Sequence, residues 1–479
     1  MTALVLLAGC AVGPDYKRPE APTPVAYKEL KGWKPSEPKE AASNTPWWSI
    51  YGDPTLDELE RQIDISNQNL KAAEAAFRQA RALVTEARAQ FFPTVDINGA
   101  GTRSGQGRHT GSSSSVSRAT GFVQNQYDLS ASASWEIDVW GRIRRTVESQ
   151  TASAQASAAD LASARLSAQS ELASDYFQLR VADQLKRLLD DTAEADARSL
   201  QITQNKYASG TAARSDVAQA QAQVENVRAQ AINVGVQRAQ LEHAIAVLIG
   251  KPPSDFSLAP APMRTDVPVV PTGLPSALLE RRPDIAAAER SMASANAQIG
   301  VAIAAYYPTI TLQASYGFVS TALESLIQTS HSVWSFGPSA AETVFNGGLR
   351  EGQIAAARAT YDQTVANYRQ TVLAGFQQVE DELAALRVLD QQAEVQDRAV
   401  KASEEAVRLI LNQYRAGTVD YTTVVTAQTT ALGNEQTALT IMQNRLVASV
   451  TLVEALGGGW DASQLPPADD LDRGMASGS

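Results

Sequence analysis

The sequence runs to 479 residues, 44% of them hydrophobic but only 6% aromatic, with a formal net charge of -11. Abundant Ala, Ser and Gln suit long close-packed helices better than a bulky globular core, and the acidic balance disfavours nucleic acid as a partner. The single cysteine, Cys10, excludes disulfides within the chain and argues strongly against a Cys-based metal site, and His109, His243 and His331 are too scattered to suggest a metal ligand cluster.

Leu4 to Leu7 is apolar, and Leu7-Ala8-Gly9-Cys10 sets small residues directly before a thiol. This is the lipobox pattern: small residues admit a signal peptidase and the thiol takes diacylglycerol. Residues 1–9 therefore read as a signal peptide remnant and Cys10 as a covalent lipid anchor. A buried thiol closing a short helix is the bland alternative, but Gly13-Pro14-Asp15-Tyr16 follows at once and cannot continue a helix. The basic opening of a signal peptide is missing and the apolar run is short, so the true start is expected upstream. Ala11 after the cysteine, rather than Asp, fits sorting to the bacterial outer membrane. Residues 17–46 are rich in Pro, Lys and Glu and read as extended, making 10–54 a lipid-anchored tether and equatorial segment. No stretch after residue 10 has the apolar length of a membrane helix, so a membrane crossing must be made by strands.

The next unit, 55–250, opens with a helix over Thr55 to Gln90 and then a hairpin over 94–138. From Tyr127 to Asp138 the alternation is unbroken, with Tyr127, Leu129, Ala131, Ala133, Trp135 and Ile137 on one face and Asp128, Ser130, Ser132, Ser134, Glu136 and Asp138 on the other. Val95 and Ile97 start its partner strand, and the Ser112-Ser113-Ser114-Ser115 stretch reads as a polar outer loop. A long helix from Ile143 to about Ser209 follows, then a turn at Gly210 and a return helix from Ser215 to Ile249. Small Ala and Ser over Thr151 to Ala168 let neighbouring helices approach closely.

A Pro-rich linker, 251–275, leads into a second unit, 276–457, that repeats the first. Phe91-Phe92-Pro93-Thr94 returns as Tyr306-Tyr307-Pro308-Thr309, and Asn205-Lys206-Tyr207 with Gly210-Thr211 returns as Asn412-Gln413-Tyr414 with Gly417-Thr418, a little over two hundred residues on. Its parts are a helix over Pro275 to Ala305, a hairpin over 309–345 and a return helix over Tyr421 to Leu456. Between the last two lies a coiled-coil helix from Leu349 to Ala416, carrying Val365, Val372, Val379, Leu386, Ala393, Val400, Val407 and Tyr414 at intervals of seven, with Phe376 and Leu383 between. Residues 458–479 read as a flexible tail.

Each hairpin strand has about the 9 to 11 residues needed to cross a bilayer at a tilt, with one face for lipid and one for water. Four strands are too few to close a barrel, and open edges are not tolerated in lipid. Strands must be pooled between chains: two chains give eight, and three give twelve with a wider lumen. The predicted fold is thus a mixed α and β membrane protein whose four strands per chain are pooled with those of other copies into a barrel, continued by long coiled-coil helices and built on an internal two-fold repeat.

Taken together, the lipobox with Gly13-Pro14-Asp15-Tyr16, Trp47-Trp48 before Asp53-Pro54, Arg281-Arg282-Pro283-Asp284-Ile285 and the two Tyr-x-x-Gly turns resemble the outer-membrane factor family of TolC and OprM, on its lipoprotein branch, over residues 10 to 460. The resemblance implies a homotrimer, a trimeric 12-stranded β-barrel in the outer membrane continued by a long helical coiled-coil tunnel through the periplasm, serving as the exit duct of a tripartite efflux system. The implied partners are a periplasmic adaptor and an inner-membrane transporter, typically proton-driven. It further implies adaptor docking and tunnel closure at Tyr207, Gly210, Thr211, Tyr414, Gly417 and Thr418. Glycine itself needs no partner to explain it there, since it ends helices at positive φ. Relatives carry aperture carboxylates just after the second turn, where this chain has Thr423 and Thr426; the internal counterpart of Thr423 is Asp216, and Asp420 is the acid nearest the second turn. A mouth with weaker charge than in relatives is expected.

The expected function is passive export of drugs or other small toxic compounds, with no cofactor beyond the lipid on Cys10, no metal and no catalytic residue. The alternatives are a TolC-like duct for protein secretion and a non-conducting coiled-coil envelope lipoprotein. An enzyme built on Asp190-Asp191 or Glu404-Glu405 is disfavoured, because such pairs read as solvated helix faces.

Overall fold

The structure, a computed structural model, describes residues 11–29, 46–105, 123–263, 267–268, 270 and 275–472. Cys10, the signal remnant, the serine run at 112–115 and the end of the tail lie outside the described residues.

A short 3-10 turn, Trp47–Tyr51, precedes helices α1 (Pro54–Ser66) and α2 (Gln68–Ala89). Strands β1 (Thr94–Gly105) and β2 (Val123–Glu136) lead to α3 (Arg142–Ala208) and α4 (Arg214–Leu248). The second half follows with α5 (Pro275–Arg281), α6 (Pro283–Ala304), β3 (Thr309–Ser320), β4 (Ser332–Ala341), α7 (Leu349–Ala416) and α8 (Tyr421–Ala455), and a short α9 (Ala468–Asp472) closes the described chain. The long helices contain 67 and 68 residues, roughly 100 Å each.

The expected helices over 55–90 and 275–305 are each two helices, a correction with a local cause. The first breaks at Asn67, whose side chain accepts from Leu70 N at 3.0 Å and so starts α2 as an N-cap. The second breaks at Arg282, because Pro283 supplies no N–H and disfavours helical backbone in the residue before it. At each break the opposite return helix ends. Gly250, at φ +68°, sits so close that a Cβ would come 2.2 Å from the Ser66 carbonyl, and Gly457, at φ +94°, would meet Arg281 O at 2.0 Å. Asn67 Nδ2 donates to Leu248 O and Arg282 Nη1 to Ala455 O, tying the ends. In each half, then, a 22-residue and a 35-residue helix stack end to end beside one long helix. Packed side by side, the order is α2 and α4, then α3, then α6 and α8, then α7.

The main core is a band at these junctions. Trp47 and Trp48 meet edge to face, Tyr51 lies against Phe177 with ring centres 4.8 Å apart, and α7 contributes the buried heptad residues Val372, Phe376, Val379, Leu383 and Leu386. Residues 11–29 run flat along this wall. Val12 N donates to Trp140 O, Tyr16 OH to Glu289 Oε1 at 2.6 Å, and Lys28 N to Glu380 Oε1 at 2.7 Å.

The four strands form one antiparallel sheet in chain order, so β2 pairs with β3 and joins the hairpins, leaving β1 and β4 as edges. The register keeps the two faces separate across the whole sheet. Val95, Ala133, Ala314 and Phe336 are aligned in one row and Ile97, Ala131, Tyr316 and Trp334 in another, while Asp96, Ser132, Ser315 and Ser335 share a row on the opposite face. Val95, Ile97, Tyr316, Trp334 and Phe336 are all exposed in the single chain. Aromatic residues ring the base of the sheet: Trp140 stacks on Tyr307 at 4.7 Å and donates to Pro308 O, and Trp135 donates to Phe91 O. The repeated aromatic-aromatic-Pro-Thr words therefore mark where helix gives way to strand in each half, at the place a membrane protein sets its interfacial aromatics.

Candidate functional site at the helical tip

Both long helices end in the same hydrogen-bonded turn. In the first, Gly210 takes φ +76°, Gly210 N donates to Tyr207 O, and Thr211 donates both its N–H and its hydroxyl to Lys206 O. In the second, Gly417 takes φ +78°, Gly417 N donates to Tyr414 O, and Thr418 donates both groups to Gln413 O. These bonds satisfy helix carbonyls left without an intrahelical partner. The matched threonines thus have a local cause as well as the glycines, one that sequence periodicity did not show.

The matched tyrosines differ. Tyr207 is half exposed, whereas Tyr414 is buried at 5% exposure. Tyr414 OH donates to Thr203 Oγ1 at 3.2 Å, and its ring meets Tyr421 edge to face at 5.3 Å. Lys206 Nζ lies 4.3 Å from the Tyr414 ring centre and also donates to the Tyr414 carbonyl. Further up, Gln428 donates to Ser199 Oγ at 3.3 Å, and Thr422 donates to Gln219 at 3.3 Å. The α3–α4 and α7–α8 turns are therefore held together by a polar seam. Lys206 stood in the sequence only as part of a repeated word with no role given to it, and Thr203 was not singled out there. Their repeat counterparts are Gln413 and Ile410, and that mismatch is the signal that could have found them.

Around the mouth, Asp216 accepts from Ala213 N at 3.2 Å and caps its own helix, while Asp420 occupies the N-cap of α8 without a side-chain bond and is exposed. Thr423 and Thr426 are exposed on α8, and the Thr426 hydroxyl donates to Thr422 O. Thr422, Thr423, Thr426 and Thr430 give this stretch of α8 a polar, uncharged surface, lining one groove with Ile410 and Ala406.

Residues 60–251 and 274–458 match the family described as outer membrane efflux protein. The chain is 30% identical over 459 residues to the toluene efflux pump outer membrane protein TtgC of Pseudomonas putida, covering 95% of this chain and 94% of that protein. It is 30% identical to the pyoverdine export outer membrane protein OpmQ of Pseudomonas aeruginosa, covering 97% and 98%. Among solved structures, the outer-membrane channel OprN superposes with a TM-score of 0.86 at 29% identity, over 94% of this chain and 100% of that one.

Proposed function

Since the chain belongs to the outer membrane efflux protein family, an outer-membrane export channel that does no chemistry, we propose that three copies form a duct exporting small organic compounds. One observation carries the assembly: a one-sided four-stranded sheet with free edges at β1 and β4. Those edges run in opposite directions, so β4 of one copy continues antiparallel onto β1 of the next, removing open edges from lipid. Eight strands would leave an interior filled by side chains, while twelve leave a lumen lined by the Asp96, Ser132, Ser315 and Ser335 face. The helical wall supports the same closure. Its two outer helices, α4 and α7, expose Ile232 and Val236 on one side and Val388, Val395 and Leu409 on the other, apolar surface that a neighbouring copy covers.

The relatives' names, a toluene efflux pump protein and a pyoverdine export protein, support small molecules as the cargo. A periplasmic adaptor docks at the tip, on Tyr207, Gly210, Thr211, Gly417 and Thr418, which are exposed while Tyr414 braces them from within. A proton-driven inner-membrane transporter supplies the cargo. The anchor is a lipid on Cys10, a reading supported by the neighbouring Ala11, which packs against Gly141, and by Val12, which bonds Trp140 among the aromatics below the sheet. Planar-bilayer conductance of the purified protein, with its mass measured in detergent, tests the reading. The expected result is a trimer with discrete channel currents; a monomer or a trimer giving no current overturns it.

A further inference from the structure

Above the tip seam, α3, α7 and α8 enclose a cleft of about 350 Å³, within the range of small-molecule sites. Its acidic lining comes from three helices: Asp191 and Asp196 on α3, Glu404 on α7 and Glu435 on α8. No Lys, Arg or His lines it, and none of the four carboxylates forms an ion pair among the described residues. Leu188, Val407 and Leu432 supply apolar walls.

The floor is what separates this cleft from an ordinary acidic surface. Asp196 is 1% exposed and Gln428 is 7% exposed, and Asp196 Oδ2 and Gln428 Oε1 are both buried without a hydrogen-bond partner. Each can only accept, so the ligand that satisfies them must donate. Burial pushes the Asp196 carboxyl up to about 6, and burial with Glu404 nearby raises Glu435 as well. A bound cation would relieve both costs. Among the described residues no three carboxylate or imidazole groups converge tightly enough to hold a metal ion, so the acceptors are spaced for an extended ligand rather than a point charge.

We propose that this cleft binds a small organic ammonium compound, its N–H groups directed to Asp196 and Gln428 and its apolar body against Leu188, Val407 and Leu432. Glu404 and Glu435 at the mouth raise the local concentration of cations and neutralise the second end of a longer amine. The cleft lies within one chain, so the proposal does not depend on conductance or on the number of copies.

The test is equilibrium dialysis of the full-length protein in detergent against 1-naphthylmethylammonium, with 1-naphthalenemethanol as its neutral counterpart. The ammonium is expected to bind saturably, one per chain, and the alcohol at least about tenfold more weakly, the loss of a charge-assisted contact. Asp196→Asn and the Glu404→Gln/Glu435→Gln pair are each expected to weaken binding at least about tenfold. Should Asp196→Asn fail to assemble, the Glu404→Gln/Glu435→Gln pair at the accessible mouth carries the test. Non-saturable uptake, equal binding of the two naphthalenes, or unchanged binding in variants that elute like the parent overturns the proposal. A protein that conducts but binds no ammonium would overturn it while leaving the export reading intact.

Discussion

Lys206 reaches from the first helical turn to the second: its Nζ lies 4.3 Å from the centre of the Tyr414 ring and it donates to the Tyr414 carbonyl. An ammonium at the end of α7 also suits the negative end of that helix. Lys206→Met keeps the bulk and removes both contacts, a loss of about 1 kcal/mol or more at the tip. Single-channel recordings should show a larger or longer-lived open state; currents identical to the parent's would dissociate Lys206 from closure.

Gly250 and Gly457 hold the end-to-end joints where return helices meet the α1–α2 and α5–α6 breaks. Alanine at either combines a left-handed backbone penalty of about 1–2 kcal/mol with a Cβ driven into a carbonyl. Each variant should lower the thermal midpoint by several degrees. Gly459→Ala, also at positive φ but with nothing within 4 Å of the added Cβ, should cost less; equal losses at all three would show that packing at the joints does not matter.

Glu60 is fully buried in α1 with both oxygens unpartnered, and burial pushes its carboxyl up to about 9. Its folded pKa is raised, so the folded chain keeps a proton that the unfolded chain releases. Its contribution is therefore complete below the unfolded value of 4.5 and is lost as pH rises toward about 9. Glu60→Gln should remove this decline, narrowing the gap between thermal midpoints at about pH 5 and about pH 8. A gap as wide as the parent's would show that Glu60 does not titrate across that interval.

On the sheet, Phe336 and Ser335 are adjacent but face opposite ways. Phe336→Lys puts a charge on the lipid face, at about 2–4 kcal/mol near the bilayer midplane, whereas Ser335→Lys points it into water. Membrane fractionation should show a marked loss of assembled protein for the first variant and little for the second. The reverse pattern would invert the assignment of faces.

Cys10→Ala should remove the acyl chains proposed for that thiol, their presence in the parent and loss in the variant being read by mass spectrometry, without dissolving the proposed trimer, which strands and helices would hold. Monomers in detergent would mean that the lipid is structural.

The sequence alone settled those features that repeat with a fixed period. Period two over Tyr127 to Asp138 marked which strand face is apolar, the seven-residue stripe from Val365 to Tyr414 marked α7 as one long helix, and the duplicated words marked the halves. The helix breaks were less visible. Asn67 and Arg282 interrupt helical patterns that continue on both sides, and only the arriving ends of α4 and α8 give the breaks a purpose. The tip shows the same division: Gly210 and Gly417 are legible because positive φ is a local demand, but Tyr207 and Tyr414 look alike in the sequence.

Only the tertiary structure exposes one tyrosine and buries the other, because burial depends on which residues arrive from the opposite hairpin, here Lys206 and Thr203. It also turns Asp191 and Glu404, each read as part of a solvated acidic pair, into two walls of one cleft. Local periodicity is encoded within a few residues of chain, whereas those meetings join positions about two hundred residues apart, and a charge acquires its environment only when the helices pack.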